Sequence, residues 1–283
     1  MEVSLIKEII LNALQEDIGK GDITTQVLTS SDGIPGKAKA KIISKSEGVL
    51  AGIEVVKEVF RLLDPEVEFN SSRKDGQPFL FGDILLELEA SPRAILEGER
   101  VALNFLQRLS GIATFTRKFV EIASPYGVKI LDTRKTTPNL RKLEKYAVRM
   151  GGGLNHRFSL DGGIILKDNH IKLAGGVKKA VKLMKENLSP LSKIEVEISS
   201  LGELQEAIES GVDVIMLDNL NYNELEKAVQ IIRSQPRKIA IEISGQIDLQ
   251  NVEKIVKLRP DFISIGKLTH SVASLDMSME LII

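Results

Sequence analysis

Basic residues are concentrated in one short stretch of this sequence. Residues 133–157 contain seven lysines and arginines and a single acidic residue, Glu144, although the chain of 283 residues has 38 basic and 39 acidic residues and a net charge of −1. A small anionic ligand explains such a local excess, whereas the near-zero total charge argues against a nucleic-acid backbone or an anionic membrane as partner. Four of these residues we interpret instead as the solvated face of a helix: Arg141, Lys142, Lys145 and Arg149.

Arg134 and Lys135 differ from those four by their position. They follow the apolar run 128–131 almost directly, and this run has the length and composition of a buried strand. Both residues are therefore predicted to lie at a site formed where strands end.

A second concentration of donors follows three consecutive glycines, Gly151 to Gly153. The glycines allow close backbone approach, and His156 and Arg157 supply donors suited to a carboxylate. A triple glycine can also be a simple helix stop. It matches neither the GxGxxG nor the P-loop spacing, so Rossmann-type dinucleotide binding and P-loop nucleotide binding both lose support.

Carboxylates and glycines occupy comparable positions further along the chain. Glu197 and Asp218 lie at the ends of successive apolar runs, where hard oxygen ligands suit ribose hydroxyls or a magnesium ion held together with substrate phosphates. Ser244, Gly245 and Gly266 follow the last two runs, where β/α barrels commonly hold a phosphate with backbone N–H groups. Together these positions predict a site that joins an acidic small molecule to a phosphorylated sugar.

The composition excludes several chemistries. The chain has no cysteine and only three histidines, His156, His170 and His270, so disulfides, thiolate zinc sites and thiol nucleophiles are ruled out. The first residues lack the positive charge of a signal peptide, and no apolar run approaches the length of a membrane span. A cytoplasmic protein is predicted, with neither nucleic acid nor membrane as partner.

The elements that must position these residues alternate regularly after residue 126. Six short apolar runs, separated by helical patterns, predict βαβ units and a parallel sheet: 128–131, 163–166, 194–198, 212–217, 239–243 and 262–265. Six units suit a six- or seven-stranded β/α barrel or an open doubly wound sheet. The barrel is favoured because five runs end in polar residues, and a barrel has its active site at the carboxyl ends of its strands. Alternation along the third run places Glu195 and Glu197 on one face, predicted to point inward.

The first hundred residues have a different texture. An amphipathic pattern over residues 5–14 predicts an opening helix that stops near Gly19, and short alternating segments between residues 37 and 90 predict an N-terminal α+β domain. A long helical stretch, 92–124, is predicted to break at Gly111. Residues 275–283 alternate like a strand that returns to the first domain. The predicted domains are 1–105 together with 272–283, and the barrel, 106–271.

An ordered set of motifs resembles the quinolinate phosphoribosyltransferase family, also called nicotinate-nucleotide pyrophosphorylase (carboxylating). The resemblance runs nearly end to end and rests on residues 131–138, 145–149, 151–157 and 167–171, with shorter matches at 16–25, 98–100, 109–111, 195–197, 216–219 and 266–271. Two positions depart from the family pattern. Asn139 stands where glycine is expected, and Gln246 where glycine or asparagine is common.

The resemblance implies an open α+β N-terminal domain beside an incomplete barrel, and a homodimer in which Arg100 enters the neighbouring active site, with assembly beyond the dimer left open. It implies that quinolinate is held by Arg134, His156, Arg157, Lys167 and the partner's Arg100. It further implies that phosphoribosyl pyrophosphate (PRPP) and Mg²⁺ are held by Lys135, Glu197, Asp218, Ser244, Gly245, Gly266 and His270, with Glu197 and Asp218 as metal ligands. Lys135, Glu197 and Asp218 are the expected catalytic residues.

The implied reaction is transfer of the phosphoribosyl group of PRPP to quinolinate with decarboxylation, giving nicotinate mononucleotide, pyrophosphate and CO₂ in NAD biosynthesis. Two alternatives remain at this stage. A molybdenum-transport-associated group shares the fold and several motifs, and its members act on another acid, although the full set of quinolinate-binding residues favours quinolinate. The second alternative is a non-catalytic anion-binding or nucleic-acid-binding protein that uses the basic stretch, which predicts strongly salt-dependent binding.

Overall fold

A computed structural model of the chain describes residues 3–29, 35–71 and 73–282. The protein divides into two compact units. The first comprises residues 1–117, 136–152 and 268–283, and the second comprises 118–135 and 153–267. The domain boundaries given above follow the order of the chain and stay a prediction.

The structure contains twelve strands among the described residues. They are β1 (Ala38–Ser44), β2 (Gly48–Val49), β3 (Glu68–Asn70), β4 (Pro78–Phe79), β5 (Ile84–Ala90), β6 (Lys129–Leu131), β7 (Ile164–Leu166), β8 (Ile194–Ile198), β9 (Val214–Asp218), β10 (Ala240–Ser244), β11 (Phe262–Ser264) and β12 (Met277–Ile282). The six apolar runs after residue 126 correspond to β6 to β11.

Eleven α-helices are found in the same described ranges. They are α1 (Val3–Ile18), α2 (Ile23–Thr29), α3 (Ile53–Leu63), α4 (Pro92–Ala123), α5 (Arg141–Met150), α6 (Asp168–Ala174), α7 (Val177–Asn187), α8 (Leu201–Glu209), α9 (Tyr222–Arg233), α10 (Val252–Val256) and α11 (Lys267–His270). Two short 3₁₀ helices span Ser124–Tyr126 and Leu160–Gly162. Within the described residues, none of the helices has the length and apolar character that crossing a membrane requires.

The first unit is built on a four-stranded antiparallel sheet in the order β12-β1-β5-β3. Along β1 the side chains alternate: Ala40 and Ile42 are buried, whereas Lys41 lies on the other face, 3.5 Å from Glu280 of β12. The alternating tail thus pairs with β1 over residues 277–282, and Ile283 lies outside the described residues.

The predicted break at Gly111 is wrong, because α4 continues through it to Ala123. A Cβ at residue 111 would lie 2.3 Å from the carbonyl oxygen of Ala273. Glycine is needed here for close backbone packing within the first unit, and a helix tolerates it at a cost of about 1 kcal/mol relative to alanine.

A buried ion pair joins three segments of the first unit. Glu144 of α5 is fully buried and accepts hydrogen bonds from the guanidinium of Arg108 at 2.8 Å and from the backbone N–H of Thr137 at 3.0 Å. Arg108 also donates to the carbonyl oxygens of Val272 and Thr269. Helix α4, the start of α5 with the segment before it, and the chain from α11 onward are therefore held by one pair of charges.

The interpretation of α5 as presenting four basic residues on a solvated face is wrong for Lys145. Its side chain is buried, with 1% of the residue exposed.

The second unit is a parallel six-stranded sheet in the order β6-β11-β10-β9-β8-β7. From β11 to β7 each strand lies beside the strand that precedes it in the chain, and β6 lies beside β11. This is the order of a barrel opened between β6 and β7, and it differs from the order of a doubly wound sheet. Within the described ranges, β6 and β7 at its two ends share no pairing, and Leu154 forms a single parallel bridge beside β6. The expected incomplete β/α barrel is thus confirmed.

Alternation along the barrel strands separates two faces. Val196 and Ile198 of β8, and Ile241 and Ile243 of β10, are almost completely buried, as expected of the face covered by helices. Glu195 and Glu197 occupy the opposite face of β8, as does Glu242 on β10. This face is the interior of the barrel, which carries the candidate site.

Candidate active site

The structure brings most of the predicted site residues to one edge of the barrel. Arg134 and Lys135 follow β6, Lys167 follows β7, and Gly245 and Gly266 follow β10 and β11. The others are near or at strand ends: Glu197 on β8, Asp218 on β9 and Ser244 on β10. In parallel strands these carboxyl ends lie at the same edge, which is where β/α barrels place their active sites.

Lys167 and Glu197 form an ion pair at this edge, with Lys167 Nζ donating to Glu197 Oε2. Lys167 was predicted to bind a quinolinate carboxylate, and Glu197 to bind ribose or magnesium. Their direct contact places the two predicted subsites side by side, because β7 and β8 are hydrogen-bonded neighbours.

His170 has a structural position in the part of the chain that follows β7. Its Nδ1 accepts the backbone N–H of Lys167 at 3.1 Å, at the start of α6. Satisfying an otherwise unpaired N–H at a helix start is an ordinary capping role. This contact gives His170 a structural role at the start of α6.

His156 is held from two sides. The backbone N–H of Arg157 donates to Nδ1 at 2.8 Å, and Nε2 lies 3.6 Å from Glu195 Oε2 and 3.5 Å from Glu242 Oε2. Burial lowers the pKa of His156, but the hydrogen bonds and charges of the two glutamates raise it to about 9. The hydrogen bond from Arg157 favours the neutral ring and therefore opposes this charge.

The segment that carries His156 is fixed by Asp132, the residue after β6. Its carboxylate is fully buried and accepts the backbone N–H of His156 at 2.9 Å and the side-chain amide of Asn155 at 2.6 Å. Sequence reasoning assigned no role to Asp132, although an aspartate directly after an apolar strand was a visible signal.

The positive charges of Arg157 and Arg134 act on each other beside this segment. Arg157 Nη1 donates to the carbonyl oxygen of Gly163 at 2.8 Å. Burial and then the positive charge of Arg134 lower the pKa of Arg157, and Glu195 partly opposes this. Two neighbouring cations of this kind form a favourable site for a dicarboxylate.

The carboxyl ends of β9 and β10 are joined through Asn219. Its backbone N–H donates to the carbonyl oxygen of Ser244 at 3.1 Å, and its side chain donates to Asp218 Oδ2 at 2.6 Å. A Cβ on Gly245 would lie 2.3 Å from Asn219 Oδ1, and Gly245 has φ +92°. Glycine is therefore required at this position for both space and backbone conformation.

The two departures from the family pattern share a backbone property. Asn139 has φ 65° and Gln246 has φ 48°. Both lie in the left-handed region that glycine adopts most easily, with asparagine the next most tolerant residue. The backbone conformation therefore explains why glycine is expected at both positions.

Arg100 and His270 belong to the first unit. Arg100 is an exposed residue of α4, and His270 ends α11 with its Nδ1 2.6 Å from Ser271 Oγ. Their predicted roles toward quinolinate and PRPP stay predictions.

Two cavities lie along the barrel. One, of about 330 Å³, is lined by Arg157, His156, Glu195 and Glu242. A larger one, of about 790 Å³, opens at the amino-terminal ends of the strands and is lined by residues such as Lys129, Lys238 and Asp261. The predicted residues gather at the opposite, carboxyl edge, so the larger cavity does not mark the candidate site.

Glu195 and Glu242 are further site residues whose role was not predicted from the sequence. Strand alternation predicted that Glu195 points inward, but no pattern indicated the contact that both glutamates make with His156. The side chains of Glu195 and Glu242 are 11% and 3% exposed. Burial raises the pKa of Glu195, with the His156 hydrogen bond lowering it in part.

Comparison with known proteins covers both units. Residues 22–110 match the family model described as quinolinate phosphoribosyl transferase, N-terminal domain, and residues 112–280 match the corresponding C-terminal domain. A relative from Bacillus subtilis (strain 168), named probable nicotinate-nucleotide pyrophosphorylase [carboxylating], is 44% identical over 97% of this chain and 93% of its own length. A chloroplastic nicotinate-nucleotide pyrophosphorylase [carboxylating] from Arabidopsis thaliana is 38% identical over 98% of this chain and 82% of its own length.

A solved structure gives the same result. The crystal structure of NadC from Streptococcus pyogenes is similar with a TM-score of 0.92 and 44% identity, and the similarity covers 100% of this chain and 98% of that one.

Proposed function

The chain belongs to the quinolinate phosphoribosyltransferase family, and we infer that it transfers the phosphoribosyl group of PRPP to quinolinate with decarboxylation. The products are nicotinate mononucleotide, pyrophosphate and CO₂, and the reaction is a step of NAD biosynthesis. The observation that carries the assignment of the site is the gathering of cations at the carboxyl edge of the barrel, where Lys167 contacts Glu197 of β8 and the charge of Arg134 acts on Arg157.

Quinolinate is bound through its two carboxylates. Arg134 and Arg157 are close enough for their charges to interact, and planar guanidinium groups can each donate two parallel hydrogen bonds to one carboxylate. Lys167 supplies a third positive charge. Binding the dianion relieves the repulsion between the two arginines, which favours a dicarboxylate over a monocarboxylate.

The phosphoribosyl subsite lies on β8 to β11. Ser244, Gly245 and Gly266 offer backbone N–H groups at strand ends to the phosphate, and Lys135 contributes positive charge toward the pyrophosphate. Glu197 and Asp218 suit ribose hydroxyls and also suit Mg²⁺, because both are hard oxygen donors on neighbouring strands. Two carboxylates form no complete cage, so substrate phosphates would complete the coordination. When bound, Mg²⁺ neutralises charge on the pyrophosphate.

The reaction begins with attack of the quinolinate nitrogen on the anomeric carbon of the ribose. The carbon–oxygen bond to pyrophosphate breaks, and positive charge that develops on the ribose is stabilised by Glu197 or Asp218. The carbon–carbon bond between the ring and the carboxylate next to the nitrogen then breaks, and CO₂ leaves. The electron pair of that bond stays on the ring carbon, which takes a proton from water. The newly cationic nitrogen stabilises that electron pair, so the protein needs no covalent nucleophile.

Turnover is the direct test. We expect purified protein with quinolinate, PRPP and Mg²⁺ to form nicotinate mononucleotide and to release CO₂ in equal amounts, measured by chromatography and by ¹⁴CO₂ release. Chelation of the metal with EDTA is expected to stop the reaction, and added Mg²⁺ to restore it. Turnover of a different aromatic acid in place of quinolinate would contradict the substrate assignment, and activity unaffected by EDTA would contradict the role of magnesium.

We further propose a homodimer whose active sites each take Arg100 from the partner subunit. In that arrangement Arg100→Ala and Arg134→Ala chains are inactive alone, but a mixed dimer contains one site with both arginines. Mixing equal amounts after reversible dissociation should restore about a quarter of the wild-type activity, because half of the dimers are mixed and each has one intact site. No recovery in mixed dimers verified by native mass spectrometry would contradict the shared site.

A further inference from the structure

A charged cluster inside the barrel consists of two glutamates around one histidine ring. Glu195 and Glu242 come from β8 and β10, which are separated by β9, yet both carboxylates lie within 3.6 Å of His156 Nε2. The second oxygen of each carboxylate, Oε1, is buried and has no hydrogen-bond partner among the described residues. Neither glutamate has a role in the reaction described above.

Carboxylates in this position carry an electrostatic cost. They are buried, which disfavours their charged form, and they lie on the side of the barrel that binds a dianion. Glu195 is close enough to Arg157 for their charges to interact. Placing negative charge near an anion site without a compensating purpose would weaken substrate binding, so a positioning role is the simplest reason for their presence.

The composition of the cluster also resembles a metal site, but the histidine does not suit one. The N–H of Arg157 donates to Nδ1, which places the proton of the neutral ring on Nε2. The charged ring also carries a proton on Nε2. In both forms Nε2 presents a hydrogen to the two carboxylates. A metal at Nε2 would displace that hydrogen, leave the proton of the neutral ring on Nδ1 and break the hydrogen bond from Arg157.

The ring in turn is connected to the predicted quinolinate contact. In the neutral ring, Nδ1 accepts the backbone N–H of the next residue, Arg157, whose guanidinium donates to the carbonyl oxygen of Gly163. The backbone of His156 is tied to Asp132. A rotation of the imidazole would therefore break the hydrogen bond between the ring and the Arg157 backbone. The hydrogen bond to Asp132 would still hold the backbone of His156.

We propose that Glu195 and Glu242 are positioning residues that hold the His156 ring inside the barrel and thereby fix Arg157 for the carboxylates of quinolinate. This inference rests on the proposed function and deepens it. It adds a positioning role to the carboxylate contact that the resemblance implies for His156.

The test compares Michaelis constants for the two substrates. Replacement of Glu242 by methionine removes the acceptor and the charge but keeps a similar volume. We expect it to raise the KM for quinolinate about 10- to 100-fold, since small displacements of a binding group have effects of this size. The KM for PRPP should stay within about twofold of wild type, because the substitution removes a contact with His156 and leaves the strand-end residues of the PRPP subsite unchanged. Glu242→Gln, which keeps an acceptor for Nε2–H, should show a smaller rise.

A double-mutant cycle separates positioning from general damage. If the glutamates act through His156, adding Glu242→Gln to a His156→Asn chain should change the KM for quinolinate by less than about twofold. Glu206→Gln, at an exposed position of α8, is the matched control and should leave both KM values unchanged. Glu195→Gln is the second variant, because removal of a buried charge by an isosteric amide is compatible with folding, and its thermal melt verifies this.

Three results would overturn the inference: an unchanged KM for quinolinate in the Glu242 variants, equal increases in both KM values, or additive effects in the cycle. A different result would contradict the proposed function: the wild-type protein itself would show neither turnover nor calorimetric binding of quinolinate.

Discussion

Replacement of Arg157 by methionine is expected to lower kcat/KM for quinolinate by about 100-fold or more, because each hydrogen bond to a charged group contributes roughly 1.5–3 kcal/mol and a guanidinium can make two to one carboxylate. Steady-state kinetics with quinolinate varied at saturating PRPP measure the effect. Arg157→Lys keeps the charge but loses the planar pair of donors, so it should recover only part of the loss.

The same substitution is expected to leave stability unchanged or to raise it. Burial and the charge of Arg134 both disfavour the charged form of Arg157, so in the native protein its cation is held for binding and not for folding. Thermal melts of Arg157→Met and wild type test this. Arg61→Met, an exposed arginine of α3, is the control for loss of a charge and should keep full activity. A large fall in melting temperature, or kcat/KM within about threefold of wild type, would contradict the assignment.

The barrel was predictable because its physical signals are local. Strands buried under helices appear as short apolar runs, and β8 was predicted with the bounds that the structure has, Ile194–Ile198. Helices α2 and α6 were not predicted, since each has only seven residues and α6 starts within the polar stretch after β7. The break predicted at Gly111 was wrong because glycine is needed there for the close approach of Ala273. The two residues are far apart in the sequence, so no local pattern indicates this contact.

The candidate site likewise contains residues that could be predicted from the sequence and residues that could not. Arg134, Lys135, Lys167 and Asp218 could be located because strand ends are visible in the sequence and parallel strands bring those ends together. The cluster around His156 could not, because the strands of Glu195 and Glu242 are not neighbours and residue 156 lies outside every regular strand. Its formation depends on how far the sheet curves, and hydrophobic periodicity carries no information about that curvature.

Charge is used differently in the two units. In the barrel, the cations near the site lie beside one another or beside carboxylates that substrates are expected to contact, so their mutual interactions can be exchanged for interactions with ligands. In the first unit, Glu144 and Arg108 are satisfied entirely by the protein: the carboxylate accepts from Thr137 as well as Arg108, and the guanidinium donates to two carbonyl oxygens. Substitution of a cation near the barrel site should therefore affect mainly binding, and substitution of Glu144 or Arg108 in the first unit should affect mainly folding.

Replacement of Glu144 by alanine is expected to destabilise the first unit by about 1–3 kcal/mol, the usual cost of leaving hydrogen-bonding groups without their partner, because the Arg108 side chain that remains is 26% exposed. Arg108 would lose its only anionic partner among its described contacts, and the backbone N–H and hydroxyl of Thr137 would lose their acceptor. The shift of the urea unfolding transition, followed by circular dichroism, measures the change.

Two further variants decide whether this loss comes from the uncompensated charge. Glu209→Ala breaks an exposed ion pair with Lys178 and should leave the transition nearly unchanged, since such pairs contribute little. The double variant Glu144→Leu with Arg108→Met replaces both charges by apolar groups and should recover part of the stability that Glu144→Ala loses, because no charge then remains buried alone. If the double variant is instead less stable than Glu144→Ala, the hydrogen bonds from Arg108 to the carbonyl oxygens of Thr269 and Val272 stabilise the unit more than the paired charges do.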